Sequence, residues 1–397
     1  MGRKRIAIVV QRYGPEVLGG SESLARSLAH LLADVYDIDV LTTCAKDYIT
    51  WKNDFPAGES MDGPVRVIRF IVDSPRSRLF NLYNAFLLKV PHTRGMEELW
   101  MRMQGPVTPE LIKYIEARKD HYDLFIFMTY LYGTTYYGIQ KVFAKSIMIP
   151  TAHDDLSLRL GLYREVFEKT RVICLTDKEK EVVENTFRLA PGKCEVIGAP
   201  VEAVGIESGD SLEKFGVTGD YILYIGRVDR LKGVDTLCNY FMRYVAERRS
   251  SLKLVICGKG PLPVPASQNI IYAGYVEDAA KYPLIRSALA TVLPSQYESY
   301  SLSVIESLAC AIPVVVNGKC SVLKDHCEKS SGGFSYLSYN DFARALDTLR
   351  QDPKLRATMG EAGKSYVSAN YSPAAVIKRY LIVIESIVGK PITSGMK

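Results

Sequence analysis

Residues 290–318 read Ala290-Thr-Val-Leu-Pro294-Ser-Gln-Tyr-Glu298-Ser-Tyr300-Ser301-Leu302-Ser-Val-Ile-Glu306-Ser-Leu-Ala-Cys-Ala-Ile-Pro313-Val-Val-Val-Asn-Gly318. Two short apolar runs, Ala290–Leu293 and Pro313–Val316, flank a loop and a helix that starts near Ser301. Continuous apolar runs separated by a helix mark parallel strands that are covered on both faces. The pattern repeats outward. Strands are expected at Tyr221–Ile225, Lys253–Cys257 and Ile270–Ala273, and earlier at Arg5–Val10, Asp37–Thr43, Val65–Ile71, Asp123–Met128, Lys145–Ile149, Arg171–Leu175 and Glu195–Ile197. The expected fold class is α/β, with two doubly wound, Rossmann-like domains in succession.

The 397 residues suffice for two such domains at about 100–200 residues each. Gly198–Asp220, with Pro200 and five glycines and no sustained periodicity, reads as the linker. The expected division is 1–200, 201–372 and a last helical segment 373–397. A composition of 47% hydrophobic and 24% charged residues excludes a disordered or fibrous chain. The net charge of +6 is shared between the halves without a strong basic excess, which argues against nucleic acid as a partner. None of the eight cysteines forms a CxxC pair, so reduced thiols are expected rather than a disulfide framework or zinc site. The apolar start, Ile6 to Val10, is too short for a signal peptide, and no window approaches the ~18 apolar residues of a membrane span. A cytoplasmic protein is expected.

Three stretches carry chemistry. After the first strand, Gly19 and Gly20 open a helix and would let backbone approach an anion, although the same glycines would serve a plain turn with Ser21 as N-cap. The spacing is not GxGxxG, and the second strand ends without an acidic residue, which disfavours dinucleotide binding. After Tyr221–Ile225, Gly226 begins a turn carrying Arg227 and Lys232, a fork donor and a point charge placed where an open α/β sheet binds phosphate. In the third stretch, Glu298 stands before a helix N-terminus, and Glu306 lies ~8 Å along that helix at a rise of ~1.5 Å per residue. One carboxylate for ribose, a dipole end for diphosphate and one carboxylate for sugar hydroxyls suit a nucleoside diphosphate sugar. Glu306 as an ordinary exposed helix residue is the plain alternative, but Val304, Ile305, Leu308 and Ala309 around it call for a partner.

Gly19-Gly20-Ser21-Glu22, His153-Asp154, Gly226-Arg227 with Lys232, Gly258-Lys-Gly260-Pro261, and Glu298 and Glu306 separated by seven residues occur in one order along nearly the whole chain. Together they resemble the retaining glycosyltransferases of family 4, which have the GT-B fold. The resemblance implies two Rossmann-like domains facing a central cleft, the first binding acceptor and the second nucleotide sugar, with the 373–397 helix crossing back to the first. It implies that Arg227 and Lys232 bind the donor diphosphate beside Gly226, Glu306 the ribose and Glu298 the transferred sugar. It further places His153 near the reacting carbon, and Gly19 and Gly20 against donor phosphates or acceptor. Transfer with retention of configuration is what it implies. No metal or cofactor is expected, because Asp37-Ile-Asp39 begins a strand and Asp154-Asp155 reads with His153. Where the family often has Gly-Phe-Gly, this chain has Ser299-Tyr300-Ser301, so the N–H groups of Tyr300, Ser301 and Leu302 would cradle phosphate with added hydroxyls nearby.

The expected acceptor is a glycan or lipid-linked glycan. Tyr130, Tyr132 and Tyr136, in the aromatic stretch Tyr122–Gly138, are candidates for its wall, with burial in the core as the alternative. Arg78–Lys89, an apolar helix between cations, is a candidate for peripheral contact with the inner membrane face, or else packs on its own domain. A same-fold epimerase or hydrolase, and a sugar-nucleotide-binding protein without turnover, remain alternatives.

Overall fold

The computed structural model describes residues 3–17, 19–201 and 211–389. They form two compact units, 1–200 together with 374–397, and 201–373. The first is built on β1 (Arg5–Val9), β2 (Asp37–Thr43), β3 (Gly58–Asp62), β4 (Val65–Phe70), β5 (Leu124–Met128), β6 (Ser146–Ile149), β7 (Arg171–Cys174) and β8 (Cys194–Val196). Its sheet order is β3-β4-β2-β1-β5-β6-β7-β8, and every pairing is parallel except β3 with β4. Ile6–Val9 and Leu124–Met128 are wholly buried, which is why the central strands read as unbroken apolar runs. By contrast, β3 has no apolar run, and the sequence reading passes over it. It is a largely exposed edge strand, held by its ladder with β4 and by the Glu59–Arg66 pair at 2.5 Å.

The second unit contains β9 (Tyr221–Ile225), β10 (Lys253–Cys257), β11 (Ile270–Gly274), β12 (Ala290–Leu293), β13 (Val314–Asn317) and β14 (Gly333–Tyr336). The order β11-β10-β9-β12-β13-β14 is parallel throughout. The sheet is wound outward from β9 in one direction and from β12 in the other, so the strand order switches between them. Ligands of open α/β sheets bind at the carboxyl ends beside such a switch. Gly226 follows β9 and Pro294 follows β12, so the Arg227 and Glu298 loops leave the sheet there.

The helix Pro373–Val388 buries Val376, Tyr380 and Ile384 in the first unit. The Tyr380 hydroxyl donates to the Gly198 carbonyl at 3.4 Å, and Arg171 donates to the Ser386 hydroxyl at 2.6 Å. The middle of the expected linker, 202–210, lies outside the described residues. All eight cysteines are free, and seven are buried. Among the described residues no helix is long and apolar enough to cross a membrane.

Candidate functional site

In the second unit, the glycines bring two loops into contact. The Gly226 N–H donates to the Cys257 carbonyl at 3.0 Å, and the Val228 N–H to the Lys259 carbonyl at 3.0 Å. Gly258 has φ +142°, and a Cβ there would lie 1.8 Å from the Gly226 carbonyl oxygen, so only glycine fits. The loop after β9 is further fixed by the Tyr224 hydroxyl, which donates to the Arg227 carbonyl at 2.7 Å.

Arg227 and Lys232 both face carboxylates. Arg227 pairs with Asp229, whose other oxygen accepts the Lys232 N–H at 2.8 Å. The Lys232 ammonium lies 2.5 Å from Glu298 Oε1. The structure thus joins the turn after β9 to the loop after β12 through a cation and an acid that lie 66 residues apart in sequence. The orienting carboxylate of Asp229 was missed by the sequence reading; its place two residues after Arg227 was the only signal.

The helix Leu302–Ala309 starts from Ser301 in a left-handed conformation, φ 68°, which costs a non-glycine residue about 1–2 kcal/mol. His326, itself buried, donates through Nε2 to the Tyr300 carbonyl at 2.9 Å and helps hold this bend. The Tyr300 ring packs edge-on against His326 and Tyr371 at 5.7 and 5.4 Å. The expectation of a Tyr300 hydroxyl beside the phosphate cradle is therefore corrected: the ring anchors the loop from beneath. Among the described residues the Leu302 and Ser303 N–H groups have no acceptor, and the buried Ser301 hydroxyl has no partner. This helix end retains unsatisfied donors, as an anion site requires.

Glu306 lies one turn further on, and its side chain is only 14% exposed. Lys281, on the helix Asp278–Arg286, reaches it at 2.7 Å and reaches Asp278 at the same distance. Burial pushes the Glu306 carboxyl up, and Lys281 offsets part of that shift. Lys281 is the partner that the apolar surroundings of Glu306 demanded, but no spacing rule pointed to it.

In the first unit, Gly19 is the residue before the helix Gly20–Ala33, and no side chain caps that helix. The Glu22 carboxylate folds back over it, accepting from Gln11 at 2.7 Å, Arg12 at 2.5 Å and Ser21 at 2.8 Å. A Cβ at Gly19 would lie 2.0 Å from Glu22 Oε2, so this glycine accommodates the chain's own buried ion pair. Ser21 is therefore not the N-cap, and its hydroxyl serves Glu22 instead.

His153 follows β6 and reaches Asp155 at 3.1 Å. Burial acts to raise the Asp155 carboxyl, but the hydrogen bond from His153 and the Leu158 and Ser157 N–H groups more than reverse that effect. Of the three acceptor-wall candidates, Tyr130 and Tyr136 are corrected. Both rings are core, Tyr130 edge-on to Tyr163 at 4.8 Å, and Tyr136 under Tyr137 with its hydroxyl accepting from Arg94 at 2.7 Å. Tyr132 is half-buried, edge-on to Trp51 at 5.1 Å, and near the Arg12–Glu22 pair.

Residues 212–366 match the model of the family Glycosyl transferases group 1. The chain is 23% identical to an uncharacterized glycosyltransferase of Methanocaldococcus jannaschii, over 93% of this chain and 94% of that protein. It is 27% identical to the N-acetylgalactosamine-N,N'-diacetylbacillosaminyl-diphospho-undecaprenol 4-alpha-N-acetylgalactosaminyltransferase of Campylobacter jejuni, over 48% of this chain and 52% of that enzyme. Among solved structures it is similar to Anabaena HepE in complex with UDP and glucose, with a TM-score of 0.70, 14% identity, and coverage of 96% of this chain and 100% of that one. The fold is GT-B, and residues 212–366, within the second unit, are similar to the group 1 glycosyltransferases.

Proposed function

We propose that this GT-B chain, with its group 1 glycosyltransferase domain at 212–366, moves a sugar from a nucleoside diphosphate sugar to a glycan or lipid-linked glycan acceptor, retaining the anomeric configuration. The observation that carries the reading is the placement of Arg227, Lys232, Glu298 and an unsatisfied helix end at the β9/β12 switch of the second sheet. Breaking the bond from the anomeric carbon to the diphosphate builds negative charge on the leaving group and positive charge on the sugar. Lys232 moves from Glu298 to the leaving phosphate, and Arg227 and the Leu302 and Ser303 N–H groups share that charge, as fixed donors do best in a water-poor site. Glu298, released from the lysine, accepts from the sugar hydroxyls. Glu306, steadied by Lys281, accepts from the ribose, and His153 serves the sugar near its reacting carbon. The similarity to an enzyme named for a diphospho-undecaprenol substrate supports a lipid-linked acceptor.

Thermal-shift screening against GDP-, UDP- and dTDP-sugars tests the donor assignment. A donor at about 100 times its dissociation constant stabilises the protein by ~2.7 kcal/mol, and does so in EDTA because no metal takes part. Stabilisation by none of them, or only after manganese is restored, overturns the reading. Products formed without acceptor would identify an epimerase or hydrolase instead.

We assign the peripheral membrane contact to the helix Phe80–Leu87. Phe80 and Leu87 are buried, whereas Leu79, Leu82 and Phe86 are 64, 71 and 51% exposed. Arg78 and Lys89 are exposed at its ends, and no acidic residue occurs from 74 to 96. An apolar stripe between cations suits an anionic lipid surface. Vesicles containing phosphatidylglycerol should carry the wild-type protein upward in flotation and leave Leu82→Glu/Phe86→Glu behind, with donor binding unchanged. Equal flotation of the two proteins would remove the assignment.

A further inference from the structure

Glu179 is a buried carboxyl that the reaction described above does not use. It stands in the first turn of the helix Asp177–Phe187, whose N-cap Thr176 accepts the Glu179 N–H at 3.0 Å. Its two oxygens go to different parts of the chain. One accepts the Leu175 N–H at 2.6 Å, a local bond of the kind that an acidic residue in a first helical turn makes. The other accepts the Ala152 N–H at 2.5 Å, reaching back 27 residues to the residue before His153. Among the described residues no cation pairs with Glu179, and burial pushes its carboxyl up to about 8. A buried acid without a countercharge is expensive to keep. Helix capping accounts for Thr176 and Leu175, but not for the bond to Ala152.

The loop that Glu179 grips is strained. Thr129, after β5, has φ 65°, and Thr151, after β6, has φ 51°. Both are β-branched residues in the left-handed region, and their hydroxyls meet at 3.2 Å. Such conformations persist only where surrounding contacts over-determine them. Ala152 is fully buried between Thr151 and His153, and its N–H is the point at which the fold holds this loop.

We propose that Glu179 is a positioning residue, which through Ala152 sets the orientation of His153 toward the donor sugar. The proposal rests on the role given to His153 above, so its test separates the two. In Glu179→Gln one of the two oxygens becomes an NH2 donor, which cannot accept from the Leu175 or Ala152 N–H that it faces. In Glu179→Asp the shorter arm keeps the local bond and loses the distant one. Two measurements on the full chain decide. The first follows the His153 ring resonance by NMR, which needs no activity; both variants should move it, and an unmoved resonance overturns the proposal. The second is a double-mutant cycle with His153→Ala. Glu179→Gln should lower kcat about 10-fold with donor KM within about twofold, because misplacing a reacting group costs rate rather than affinity. Added to His153→Ala it should cost less than about twofold more, since residues acting through one another are not additive. Full additivity, with normal melting of both variants, overturns the proposal. If His153→Ala alone turns over like wild type, the role of His153 fails, and a shifted resonance still upholds Glu179 as the holder of the loop.

Discussion

Lys232→Ala lowers turnover about 10²–10³-fold, equivalent to ~2.7–4 kcal/mol of lost transition-state stabilisation. On the proposed reaction the loss should fall mainly on kcat, because the charge assigned to Lys232 would grow as the sugar–phosphate bond breaks, and an interaction made only then leaves ground-state binding little changed. Two observations make the expectation specific. Lys232 lies 2.5 Å from Glu298, so its ammonium already stands at the mouth of the β12 loop. Asp229 fixes the backbone of Lys232 at 2.8 Å and the guanidinium of Arg227 at the same time, so the two cations form one preorganised pair. Arg227→Ala should therefore cost a similar factor, and the double variant less than the product of the two. Steady-state rates with a donor found by the thermal-shift screen give the answer. A folded Arg227→Ala/Lys232→Ala protein that turns over near the wild-type rate would refute the placement of the leaving diphosphate.

The second large effect is on stability and lies in the first unit. Arg12 and Glu22 form an ion pair at 2.5 Å, with both side chains almost fully buried. Removing one partner strands the other charge away from water, which costs about 3–5 kcal/mol. For a unit of this size that is roughly 6–20 °C in Tm. Glu22→Ala should show the full loss, because it also takes the acceptor from Gln11 and Ser21. Glu22→Gln keeps an acceptor oxygen and should lose less, and Arg12→Met/Glu22→Leu, which leaves no buried charge, should recover much of the loss. Calorimetry of the three variants checks the ranking. An unchanged Tm in Glu22→Ala would mean that the pair is not buried in solution. The same pair explains Gly19, whose close approach is to Glu22 of the helix that follows it.

The two outcomes differ in how far they could be read from residues alone. Arg227, Lys232, Glu298 and Glu306 stand out because strand-to-helix turns are local, so a cation after β9 or an acid before a helix takes its place from its neighbours in the chain. The central strands were legible for the same reason: a strand buried on both faces must be apolar along its length. β3, exposed on an edge, and β14, four residues at the other margin, carry no such run, and only their ladders define them. Tyr130 and Tyr136 were ambiguous because an aromatic ring suits a sugar wall and a core equally, and the Tyr163 ring that covers both is remote in sequence.

What the residues determined by themselves is the pair of wound α/β sheets and the turns that bear charge, since each follows from hydrophobic period and helix-end chemistry within a few residues. Only the tertiary structure decided who holds whom: Lys232 with Glu298, Lys281 with Glu306, Arg12 with Glu22, and Glu179 with the backbone before His153. Apart from Arg12 and Glu22, these partners are 25 or more residues apart, and which buried acid finds which donor depends on how the loops close over the sheets rather than on any local spacing.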